Sequence, residues 1–146
     1  MAAQWRDYLA HMESLGQRLD ELTELERVKI RAVGSGDLEA LDECMKKEQV
    51  ISLSLRGMDQ KRNRLMGELG ITGVHLRNLV DHAPDELKWE TKEAAEKLRQ
   101  KYELFRSASS VARNTLECNL HAIEQAQKAQ DAQPEEGPHR QADFRV

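Results

Sequence analysis

The sequence predicts an all-α fold: a long antiparallel helical hairpin joined through a short connecting helix to a long third helix, with a flexible polar tail. Three observations carry this. One third of the chain is charged and only 4% is aromatic, so little bulk exists to fill a broad core. Apolar residues recur at alternating three- and four-residue steps over long distances, which is the spacing of one helix face. All three prolines, Pro84, Pro134 and Pro138, lie late, so nothing before residue 84 forces a helix to end at a proline.

The first helix is expected over about 3–33. Its seam steps through Trp5, Tyr8, Met12, Leu15, Leu19 and Leu22. Glu26 and Lys29 then fall on the seam, with Leu25, Val28 and Ile30 beside it, so the stripe loosens or drifts towards its end. Gly34-Ser35-Gly36-Asp37 is a break with a mechanism. The glycines permit a tight reversal, and the Asp37 side chain accepts from free amides at the start of the next helix. Glu39 adds acid to that first turn.

The second helix, about 37–69, carries Leu38, Leu41, Met45, Ile51, Leu55, Met58, Leu65 and Leu69 and stops at Gly70. A short loop between two long amphipathic helices makes them antiparallel neighbours. A short helix over about 74–82, with Val74, Leu76, Leu79 and Val80, is placed to cover one end of the hairpin. Pro84, Asp85 and Glu86 then open a third helix running from about 85 to 130. Residues 1–130 form one helical domain, and 131–146, polar and broken by prolines, form the tail.

The third seam starts with Leu98, Tyr102 and Phe105 and fades through Ser109, Ala112, Leu116, Asn119, Ile123 and Ala126. At about 1.5 Å per residue the first two helices span roughly 45–50 Å and the third roughly 70 Å. Either the last ~20 Å of the third helix, from Leu116 on, overhangs its partners, or a kink absorbs the difference. The weak seam over Val111 to Ala126 reads either as a small-residue core or as a surface for a partner helix.

Chemistry is not the expectation. His11, His75, His82, His121 and His139 are scattered. The local group Glu117, Cys118 and His121 supplies at most three ligands, whereas a closed structural zinc site takes four. Gly67 to Gly73 lacks the strand and the Lys-Ser/Thr ending of a phosphate loop. Asp59 to Arg64 reads as a solvated helix face. No catalytic, cofactor or metal residues are assigned. With 22 basic and 26 acidic residues the formal net charge is −4, which argues against nucleic acid. No apolar run exceeds three residues, so neither a secretory signal nor a membrane span is expected. Cys44 and Cys118 are expected as reduced thiols of a cytoplasmic protein, with a disulfide between them left open by spacing alone.

The middle of the chain, Glu26 to Ile71, resembles the body of FlgN-type flagellar export chaperones. The features that carry the resemblance are Glu26 in the first helix, the break Gly36-Asp37-Leu38-Glu39-Ala40-Leu41, Lys47, Arg62, the pair Leu65-Met66 and the stop Leu69-Gly70. Chain length, three-segment layout and polar tail agree with it over about the first 130 residues. Asn114 and Asn119 stand further apart than the closely spaced asparagines common in that family's third helix.

The resemblance implies a bacterial cytoplasmic chaperone without cofactor. Such a protein binds the C-terminal helices of flagellar hook-associated proteins, the filament-junction components, and delivers them to the type III export apparatus. An export-gate component is a further implied partner, and the chaperone itself is expected as a monomer or weak homodimer. In that family the C-terminal part carries the client, so the partner surface is expected at Val111, Ala112, Leu116, Asn119, Leu120, Ile123 and Ala126. Separately from the resemblance, Phe144, the lone aromatic of the tail, is expected to anchor a second contact, with client or export machinery. Small and polar residues on the seam would weaken self-pairing while Leu116, Leu120 and Ile123 remain as anchors. The alternative is a structural coiled coil that self-associates into a homo-oligomer.

Overall fold

The computed structural model describes residues 2–131 and is all-α. Helix α1 spans Ala2–Ser35, α2 spans Leu38–Leu69 and α3 spans Lys88–Asp131. Between α2 and α3 the chain makes two 3-10 segments, Leu76–His82 and Asp85–Leu87. The short connecting helix expected over about 74–82 is present as the 3-10 segment Leu76–His82. The tail beyond 131, including Phe144, lies outside the described residues.

The reversal between α1 and α2 works as its residues dictate. Gly36 takes the left-handed conformation, with φ of 72°, and the Asp37 amide donates to the Ala32 carbonyl at 2.9 Å. The Asp37 carboxylate then caps α2 by accepting from the Ala40 amide at 3.0 Å. Helix α2 ends the same way, with left-handed Gly70 and the Ile71 amide donating to the Met66 carbonyl at 2.9 Å.

Helix α1 is the centre of the bundle. It packs on both α2 and α3, whereas the backbones of α2 and α3 barely approach each other. Links to α2 descend that helix as they climb α1 in the opposite sense: Lys29 meets Glu48, and His11 Nε2 lies 2.8 Å from the Met58 carbonyl. Links to α3 run in the same sense along both helices, from Trp5–Thr91 to Asp20–Lys101. So α1 and α3 are parallel, and α2 is antiparallel to both. Gly16 lets the stem of Lys101 cross α1 closely, because a Cβ there would sit 3.1 Å from Lys101 Cδ.

The end of the bundle that holds the start of α1 is closed. All six residues of the first stripe, Trp5, Tyr8, Met12, Leu15, Leu19 and Leu22, are buried. All but Leu22 join one cluster with Met66 and Leu69 of α2, Ala95 and Leu98 of α3, and Ile71, Leu79, Ala83 and Leu87 from the connection. The 3-10 segment Leu76–His82 packs on α3 and plugs this end. The indole of Trp5 donates to Thr91 Oγ1 at 2.7 Å, so the one polar atom of that ring is satisfied inside the core. Its ring meets Tyr8 edge to face, with centroids 6.1 Å apart.

The opposite end is held differently. Where the first stripe reaches Glu26 and Lys29 it does not slip sideways onto Val28 or Ile30. Instead the charged pair is taken inside. Lys29 Nζ lies 3.1 Å from Glu26 Oε1 and 2.7 Å from Glu48 Oε1, tying α1 to α2. Burial opposes the Lys29 ammonium most strongly, yet its bonds to Glu48 and Glu26 outweigh it and raise its pKa. For Glu26, burial dominates and raises the carboxyl pKa, against the pull of Lys29.

Candidate docking groove

Helices α2 and α3 diverge from contact with each other but both rest on α1, so a trough runs between them. At the closed end the connecting segment fills the core. Towards the middle a groove of about 480 Å³ remains. Leu19 of α1 and Leu55 of α2 contribute to it, with Tyr102 and Phe105 of α3 as its aromatic wall. Ser109 and Ser110 continue that wall, and Arg106 and Arg113 line it as well. Phe105 and Leu55 also touch the edge of the closed core, so the groove is a half-open continuation of it.

Apolar exposure is concentrated around this half of the molecule. Of the nine large hydrophobics exposed among the described residues, Leu38, Met45, Val50 and Leu53 are on α2, and Tyr102, Leu104, Val111 and Leu120 on α3. Only Trp89 stands at the closed end, so the exposure follows the opening of the bundle rather than chance scatter.

A second groove, about 450 Å³, lies between α1 and α3 on the flank away from α2. Leu9, Met12 and Leu98 contribute to its apolar part, and its charged lining mixes Glu13, Glu90 and Glu93 with Lys97 and Lys101.

The residues expected to meet a partner divide into three groups. Leu116 is half-buried, and Asn119, Leu120 and Ala126 are exposed. Val111 is exposed too, but it shares a flank with Leu104, seven residues earlier, and neither lines the groove. Ala112 is 1% exposed and lies inside the bundle, where its small side chain lets α3 sit close. It presents nothing to a partner. The side chain of Ile123 and all of Phe144 are outside the described residues.

Beyond Leu116 every described side chain of α3 except Gln127 is exposed, and the helix continues unbroken to Asp131. The overhang is therefore present in the described residues. The residues that reading the sequence missed are Arg106 and Arg113, off the apolar seam, together with Leu19 and Leu55 from the other two helices.

Among the described residues, no group of three or more His, Cys, Asp or Glu is placed to hold a metal. No described helix is long and apolar enough to cross a membrane. Cys44 is buried, its thiol donating to the Leu25 carbonyl at 3.5 Å, and Cys118 is exposed, so the two are free thiols. Burial, reinforced by the nearby Glu48 charge, pushes the Cys44 thiol pKa up and keeps it unreactive.

No family model matches this sequence, and neither curated proteins nor solved structures give a match.

Proposed function

We propose that the protein is a helix-binding export chaperone of the FlgN type. It would hold the C-terminal helices of flagellar hook-associated proteins in the bacterial cytoplasm, prevent their premature assembly and pass them to the type III export apparatus. The observation that supports this reading is the open half of the bundle. A groove with an apolar floor and aromatic wall runs between two helices that do not close on each other, next to an uncovered helix end. An amphipathic helix seated there buries its stripe by helix-in-groove packing, with apolar anchors spaced along one face. The thin upper seam keeps such binding reversible, because Ser and Ala remove less apolar area from water than Leu would.

One observation favours a second reading, a self-associating coiled coil. Leu104 and Val111 are exposed at heptad spacing on the flank away from the groove, where a copy of α3 could pair. The two readings separate in one experiment. Titrating the full-length protein with C-terminal segments of hook-associated proteins from the same genome, by calorimetry, is expected to show saturable one-to-one binding. Absence of binding, with a stable symmetric oligomer by light scattering, overturns the chaperone reading.

A further inference from the structure

We infer that the groove between α2 and α3 selects an acidic amphipathic helix, one whose apolar stripe is flanked by Asp and Glu. The inference rests on the groove being a helix-docking site, as proposed above, and adds the charge class of the occupant. It is carried by the distribution of charge around the groove.

The chain as a whole is acidic, with 26 Asp and Glu against 22 Lys and Arg. Yet 104–116 of α3, whose charges are Arg106 and Arg113, is the longest stretch without an acid, and 49–58 of α2, whose charge is Arg56 alone, is another acid-free stretch. Leu55 comes from 49–58, and Phe105, Arg106, Ser109, Ser110 and Arg113 from 104–116, so the groove's α2 and α3 walls both draw on them.

Some cations elsewhere on the helices are paired within the chain. Arg18 pairs with Glu21, Lys46 with Asp42, Arg99 with Glu96 and Glu103, and Lys101 with Asp20. Among the described residues no ion pair uses Arg56, Arg106 or Arg113. Two guanidinium groups, Arg106 and Arg113, thus line an apolar trough that has no carboxylate in its lining. Each offers a planar fork of donors to an incoming Asp or Glu. The groove between α1 and α3, with three acids against two lysines, has no such preference.

From Tyr102 to Arg113 the wall is about 17 Å long, roughly three helical turns. A client therefore needs at least that much amphipathic helix. Acids on its flank would meet Arg106 and Arg113 on the α3 wall. Rim charges of this kind set selectivity and association rate more than total affinity, and salt weakens them.

The test uses three synthetic helices of about 18 residues, long enough to fill three turns with a margin, with one apolar face and Glu, Gln or Lys on both flanks. Each is titrated into the full-length protein at low and at high salt. The Glu helix is expected to bind about tenfold tighter than the Lys helix at low salt, with the gap closing at high salt. In the variant R106E/R113E the preference reverses, and in R106Q/R113Q it disappears. Both positions are exposed, and far-UV circular dichroism checks that each variant stays helical. Equal or tighter binding of the Lys helix, or a preference unchanged in either variant, overturns the inference. So does a change of oligomeric state on R106E/R113E, which would make the occupant a second copy of the chain.

The two readings fail separately. If hook-associated segments bind but R106E/R113E leaves their affinity unchanged, the acidic selectivity is wrong and the chaperone reading stands. If the Glu helix binds as expected and the hook-associated segments do not, the selectivity stands and the named client class is wrong.

Discussion

The two ends of this bundle solve the same packing problem with opposite means. At the closed end three helices and a connecting segment converge in one cluster around Trp5, Tyr8, Met12, Leu79 and Leu98. At the open end α1 and α2 are joined by small residues and a buried ion pair, Ala32, Cys44 and Lys29 with its two glutamates. There α3 buries Ala112 but leaves its flank and its last turns uncovered. The difference teaches where stability and adaptability are placed. Burying large rings stabilises one end strongly, while a half-open end keeps apolar surface available at a modest cost in stability.

The largest expected effect breaks the closed end. Trp5→Ala removes a fully packed ring and leaves the Thr91 hydroxyl without its partner, so a loss of about 3–5 kcal/mol is expected in urea denaturation. The matching change at the open end, Phe105→Ala, removes a half-exposed ring and is expected to cost about 1 kcal/mol. Equal losses at the two positions would erase the distinction between the ends.

The next effect is on the ion pair that ties the open end. Lys29→Met leaves Glu26 and Glu48 facing each other in a buried site without the ammonium between them. A loss of about 2 kcal/mol is expected, below the full range for a deeply buried pair because some solvent reaches Lys29. The same denaturation series measures it, and a neutral result would show that the triad contributes nothing to the hairpin.

The pH dependence of that site is smaller and has a definite sign. Because burial raises the folded pKa of Glu26 above its ordinary 4.5, the folded state holds that proton more tightly than the unfolded chain. Its contribution is therefore fully present below 4.5 and lost as pH rises through the raised value. Glu26→Gln removes this loss, so its melting temperature relative to the parent is expected to climb between pH 4.5 and neutrality. A constant difference across that range would contradict the assignment. The smallest effect is at Tyr8, whose buried hydroxyl has no hydrogen-bond partner among the described residues. Tyr8→Phe is expected to leave stability unchanged or raise it by up to about 1 kcal/mol, read from the same denaturation midpoint.

How much of this was legible in the sequence depends on how local each feature is. The stripe from Trp5 to Leu22 was readable because strict three-four spacing of bulky residues has one structural meaning. The reversal at Gly36-Asp37 and the stop at Gly70 were readable because conformation and cap are decided within four or five residues. The burial of Glu26 and Lys29 was not, since their partner Glu48 arrives from α2, 19 residues from Lys29. Only the register of the hairpin brings it there. Over the seven residues of Leu76–His82 apolar spacing does not separate 3-10 from α turns.

Ala112 was read as part of a thin open seam because a small side chain looks like weak packing. In the bundle the same smallness allows close approach and full burial. The groove itself depends on the distance between α2 and α3, which no single stretch of sequence reports. Part of its charge was visible, however, as Arg106 and Arg113 within 104–116, the longest stretch without an acid.

The central claim is that the open half, not the closed core or the α1–α3 groove, receives a client helix. Amide hydrogen exchange of the full-length protein, alone and with a saturating hook-associated C-terminal segment, tests it most directly. Slow exchange is expected in the free protein around Trp5–Leu19, with new protection on binding confined to 49–58 of α2 and 102–120 of α3. Protection appearing instead along Leu9–Gly16 and Glu90–Lys101, or nowhere on α2, would contradict it.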